Sequence, residues 1–185
     1  MEQQFQFGSG EPIWHELVEE VDHLPVYFST PGRCRATTQG CNLFSDELTV
    51  SVHWHEYAEF IWLQGGHMTA VVQADTYELE PGDLLVINSG ELHMTHISAC
   101  PSQCPYVLMQ LSAQRMSEYF PGREGLRFST LIRREELEKT PSLLQPLHAM
   151  QQLFEEGQDG YQLLFRARLF EFLHAMYQLH SAAAV

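Results

Sequence analysis

His53-Trp54-His55-Glu56-Tyr57-Ala58-Glu59 opens the stretch whose reading decides the fold, and Asn88-Ser89-Gly90-Glu91-Leu92-His93-Met94-Thr95-His96 closes it. Between them, Gly65-Gly66 and Pro81-Gly82-Asp83 mark turns. Residues two apart on a strand share a face, so the rings of His53 and His55 project together. Glu59 has the same parity, and His93, beyond a separate turn, can approach from a neighbouring strand. Two or three imidazoles with one carboxylate can hold a divalent transition metal with open positions.

Around this stretch run short segments rich in Val, Ile, Thr and aromatics, at residues 48–53, 58–63, 68–72, 77–79, 84–88 and 106–111. Many short strands at this spacing predict a mainly β fold, a closed antiparallel sandwich or barrel of the jelly-roll kind. Upstream, residues 1–22 form a polar, acidic arm, in which residues 11–18 with Pro12 in the first turn predict a short helix. Residues 23–28 read as a short strand or extended entry, Ser29-Thr30-Pro31-Gly32 as a turn, and residues 33–38 as a candidate second strand. Arg33 and Arg35 share one face of it, as anion or carbonyl contacts or as ion-paired surface residues.

Downstream the composition changes from β to α near Ser112. Ser112 is placed to cap a helix that Pro121-Gly122 stops, and residues 123–141 show little periodicity. Ser142 is expected to cap a helix carrying Leu143, Leu144, Leu147, Met150, Leu153 and Phe154, with Gly157 at its end. Tyr161, Leu164, Phe165, Leu169, Phe172, Leu173, Met176 and Tyr177 mark a second helix. The hairpin so formed, residues 142–180, lays one stripe on the barrel. Phe170 and Leu179 lie off that stripe, free for a second chain or for further core. Trp54 and Trp62 are expected between barrel and helices, and His96 on the outer surface.

The chain has 185 residues, 44% hydrophobic and 18% charged, which fits one domain: a barrel over residues 23–111 and a helical segment over 112–185. A formal charge of −14 disfavours phosphate backbones and anionic membrane surfaces. No apolar run reaches the ~20 residues of a membrane span, and the N-terminus lacks a signal peptide's pattern. A cytoplasmic location is expected. Cys34, Cys41, Cys100 and Cys104 read as reduced thiols rather than a disulfide frame or zinc site.

The spacing His-x-His-x3-Glu-x6-Gly (His53, His55, Glu59, Gly66), then Gly-x5-Asn-x-Gly-x2-His (Gly82, Asn88, Gly90, His93), resembles the two-motif signature of cupins. Asn88 departs from it, standing where a proline is usual. The resemblance implies a cupin double-stranded β-helix barrel followed by the α-helical hairpin. Over residues 23–180 the chain further resembles the N-terminal effector domain of AraC-type transcriptional regulators. That resemblance implies a small polar, sugar-like or related effector in the barrel and a homodimer through the C-terminal helices. DNA would be reached only through a C-terminal helix-turn-helix domain absent from this chain, which is expected to be either an excised effector domain or a natural stand-alone version, the Ala-Ala-Ala-Val end favouring excision. Expected ligand contacts are Arg33, Arg35, His53, His55, Tyr57, Glu59 and His93, with no catalytic residue and no required cofactor. The alternative is a small metal-dependent cupin enzyme, a dioxygenase, isomerase or decarboxylase, holding Zn, Ni, Mn or Fe on His53, His55, Glu59 and His93.

Overall fold

The computed structural model describes residues 14–15, 22–31, 33, 48–98, 105–123 and 125–182. Its strands are β1 (Trp14–His15), β2 (Tyr27–Ser29), β3 (Leu48–Trp54), β4 (Tyr57–Leu63), β5 (His67–Val72), β6 (Asp75–Leu79), β7 (Leu84–Ile87), β8 (His93–Ser98), β9 (Tyr106–Ser112), β10 (Arg127–Phe128), β11 (Leu131–Ile132) and β12 (Ser181–Ala182). The helices are α1 (Ala113–Tyr119), α2 (Arg134–Glu138), α3 (Pro141–Glu156) and α4 (Tyr161–His180). The strands build two five-stranded sheets, ordered β1-β3-β8-β5-β6 and β11-β7-β4-β9-β2, while β10 pairs with β12. From β3 to β9 the chain changes sheet at every connection except the β5–β6 hairpin. That alternation is the winding of a double-stranded β-helix, the cupin jelly roll.

The unbroken run Ala58-Glu59-Phe60-Ile61-Trp62-Leu63 is buried throughout because both faces of β4 are covered. Ile61 and Leu63 join Met68, Ala70, Leu85, Ile87, Ile97 and Leu108 between the sheets. Ala58, Phe60 and Trp62 point the other way, into a core shared with α3 and α4. Phe28 sits at that junction, its ring edge-on to Phe154 at 5.2 Å and to Phe165 at 4.9 Å. Asp83, 2% exposed, ties the β6–β7 turn to α2: it accepts from Glu80 N, Arg133 Nη1 and Arg134 N. Arg134 packs so closely over Gly82, at φ +101°, that a Cβ there would lie 2.6 Å from its Cδ. Only glycine fits both the turn and that approach.

The β-to-α order, the Ser112 cap on Arg115 N and the left-handed Gly157 at the end of α3 agree with the sequence reading. Several local expectations do not hold. Trp14–His15 is a strand paired in parallel with β3 at His53 and Trp54, not part of a helix. Of residues 23–28, read as a short strand or extended entry, Tyr27 and Phe28 are in β2, and His23 takes positive φ. Residues 123–141 contain β10, β11 and α2. Thr140 rather than Ser142 flanks the start of α3, since Pro141, with no N–H to satisfy, suits the first helical position. Trp62 packs on His148 as expected, whereas Trp54 is 37% exposed and Leu164 56% exposed. The four cysteines lie outside the described residues, as does Arg35. Among the described residues, no helix is long and apolar enough to cross a membrane.

Candidate metal and ligand site

β3 shifts register against β8 between Val50 and His53, and His53 then pairs with His93. Their ring centroids are 4.1 Å apart. His55, where the chain crosses to β4, lies 4.9 Å from His93 and 5.8 Å from His53 by the same measure. One ligand nitrogen from each ring lies within 4.8 Å of the others, and all three residues are buried.

Backbone carbonyls hold each ring at Nδ1: Ser51 O for His53 at 2.8 Å, Tyr57 O for His55 at 3.1 Å, Glu91 O for His93 at 2.9 Å. A carbonyl only accepts, so Nδ1 carries the proton and Nε2 of a neutral ring keeps its lone pair. Metal-ligating histidines receive this kind of support. His93 Nε2 is buried with no hydrogen-bond partner, an arrangement that costs about 1–3 kcal/mol when nothing satisfies it. His55 Nε2 lies 2.8 Å from Glu59 Oε2, and Gln110 Nε2 donates to the same oxygen at 2.7 Å. Both nitrogens of His55 thus face acceptors, which suits a protonated ring against the carboxylate or a cation between the two.

Burial lowers the His53 imidazole, and brings His93 down to about 4 against the opposing pull of Glu59. Burial alone would raise the Glu59 carboxyl. The hydrogen bond and charge of His55, with His93 and Gln110, outweigh it and hold Glu59 at about 2. An ionised carboxylate beside imidazoles anchored at Nδ1, with the Nε2 of His93 unpartnered, is a donor set for a divalent transition metal, so the residues present fit such an ion. A cavity of about 30 Å³ opens at the cluster, walled in part by His53, Glu59, His93, Thr95 and Gln110. It has room for one ion or water.

Of the residues predicted for the site, His53, His55, Glu59 and His93 are brought together. Tyr57 adjoins them, its ring 5.9 Å from that of His55. Arg33 is placed elsewhere: Nη2 meets Asp22 Oδ2 at 2.7 Å, Nη1 donates to Phe154 O at 3.0 Å, and the guanidinium lies 4.6 Å over the Phe154 ring. The last carbonyls of α3 and an aromatic face together hold a cation there. His96 bonds Thr49 Oγ1 away from the cluster. Sequence reasoning missed Gln110, although a lone amide inside the apolar run of β9 was its signal, and it missed Ser51 and Glu91 as ring anchors.

A family model described as the AraC-like ligand binding domain matches residues 45–173. A curated relative, the uncharacterized HTH-type transcriptional regulator YdeC of Bacillus subtilis (strain 168), is 30% identical over 100 residues, covering 54% of this chain and 32% of the relative. This chain therefore spans about a third of that relative's length. Among solved structures, oxalate decarboxylase from Bacillus subtilis at pH 4.6 is similar at 16% identity and TM-score 0.33, covering 55% of this chain and 26% of that one. A single-residue variant of oxalate decarboxylase from Bacillus subtilis gives 17% identity and TM-score 0.33, covering 37% and 20%. Those two similarities carry no functional weight. With its barrel and most of its helical hairpin inside the matched span, the chain belongs to the AraC-like ligand binding domain family.

Proposed function

We propose that this chain is the effector-sensing and dimerising part of an AraC-type transcriptional regulator, and that its barrel receives a divalent transition metal ion on His53, His55, Glu59 and His93. The observation that carries the metal assignment is the buried, unpartnered Nε2 of His93 among imidazoles anchored at Nδ1. A bound ion supplies Lewis acidity and open positions for a hydroxyl or carboxylate of a small polar effector. The chain's own part is to hold the rings by Ser51, Tyr57 and Glu91, and to orient Glu59 through Gln110.

Dimerisation is proposed through the helical hairpin. A groove of about 660 Å³ between α3 and α4, lined by Pro146, Ala149, Ala175 and Leu179 among others, supports it. So do Leu164 and Leu179, 56% and 55% exposed on α4. An effector that binds one arrangement of barrel and hairpin better than another would shift the population between them. DNA contact belongs to a further domain in this reading, in keeping with the acidic charge.

The experiment is metal titration of chelator-treated protein with Zn, Ni or Mn, followed by isothermal calorimetry and sedimentation. One ion per chain, lost in His93→Ala, together with a dimer, is the expected result. A monomer in all conditions would remove the dimerisation reading, and unchanged uptake by His93→Ala would remove the metal assignment. The same four residues favour a second reading, a small metal-dependent cupin enzyme. Oxygen uptake or decarboxylation by the metal-loaded chain would favour it over the sensor.

A further inference from the structure

Beside α1, on the helix-facing side of β4, lies a cavity of about 210 Å³, separate from the histidine cluster. It is several times the space at the cluster. Its lining includes the apolar Met116 and Leu126, the hydroxyl-bearing Ser89 and Ser117, and the basic Arg123 and Arg127. Two cations at one cavity stand out in a chain with 10 basic and 24 acidic residues. Arg127 pairs through Nη2 with Oε1 of Glu91, whose other oxygen accepts from Asn88 N at 2.7 Å. A guanidinium has five N–H donors, so that pairing leaves most of them for another acceptor. Arg123 is exposed and has no carboxylate partner among the described residues. Its guanidinium lies 5.8 Å from the centre of the Tyr177 ring on α4.

We propose that this cavity is a second ligand site, taking a small carboxylate with a short apolar body. Arg123 and Arg127 hold the carboxylate, since a planar fork of donors matches its two oxygens. Met116 and Leu126 cover the apolar part. The site stands whether or not the barrel holds a metal. It is also placed to be felt elsewhere: Arg127 leads to Glu91, whose carbonyl anchors His93, and Arg123 leads to α4.

The test uses the chain labelled with carbon-13 at its methionine methyls, titrated with butyrate, with benzoate and, separately, with inorganic phosphate at constant ionic strength. The Met116 methyl should shift saturably with at least one carboxylate, at a Kd of about 1 mM or tighter. Met68, which borders the histidine cluster, should not move. Arg123→Gln, at an exposed position where folding is checked by the unshifted Met68 signal, should weaken binding about tenfold or more. No saturable Met116 shift with either carboxylate, unchanged affinity in Arg123→Gln, or phosphate bound as tightly as the carboxylates would each overturn the proposal.

Discussion

Replacing Asn88 by Ala should destabilise this domain more than an ordinary loop substitution. Asn88 is 4% exposed, and its amide acts as a short strand toward β10. Oδ1 accepts from Phe128 N at 2.7 Å, and Nδ2 donates to Phe128 O at 3.1 Å and to Glu91 Oε2 at 3.3 Å. Alanine removes these bonds and leaves the N–H and carbonyl of the buried Phe128 without them. A net loss of about 1 kcal/mol for each of the three bonds comes to about 3 kcal/mol. For a domain of this size that is a Tm lowered by about 6–12 °C. Asn88→Pro, which installs the residue usual in cupins, should be worse. It also deletes the backbone N–H that donates to Glu91 Oε2 at 2.7 Å. Thermal unfolding followed by circular dichroism, with urea midpoints as a check, measures both. An Asn88→Ala protein melting within about 2 °C of the parent, or a more stable Asn88→Pro, would refute the clasp.

Other outcomes follow from the site and the turns. Adding zinc at about 100 times its Kd to metal-free protein should stabilise it by about 2.7 kcal/mol, and His93→Ala should abolish the rise in Tm. Metal-free protein should lose stability as pH falls. His93 drops from 6.5 to about 4 on folding, so between those values the unfolded chain binds the extra proton, and Glu59 adds a like loss from 4.5 down toward 2. A Tm that is flat or rises between pH 6.5 and 4.5 would contradict those environments. Gly82→Ala should cost about 1–3 kcal/mol, from positive φ and the clash with Arg134, and equal urea midpoints would speak against it. Leu179→Arg should convert a hairpin dimer to monomer in sedimentation without lowering Tm by more than a few degrees, because the side chain is 55% exposed.

Much of the barrel and the heart of the site could be read from the chain alone because they depend on short-range periodicity. The period of two put His53 and His55 on one face, and the turns at residues 65–66 and 80–83 bounded the strands. The resemblance of the Gly82-to-His93 spacing to the cupin signature pointed to His93, which pairs with His53. Parity said nothing of where Arg33 would end: it is ion-paired with Asp22, the second of the two readings, and donates to the end of a helix 121 residues away in sequence. It was equally silent on Gln110, which reaches Glu59 only because β9 pairs with β4 at that register. The start of α3 went to Thr140 and Pro141 by local chemistry, a legible signal outweighed by an attractive serine. The cavity beside α1, the pairing of Arg127 with Glu91 and the exposure of Trp54 are products of packing between distant segments. The sequence by itself determined which residues share a face. Which faces meet, and how much space remains between them, was decided by the tertiary structure, because burial and close contact depend on neighbours that no local pattern specifies.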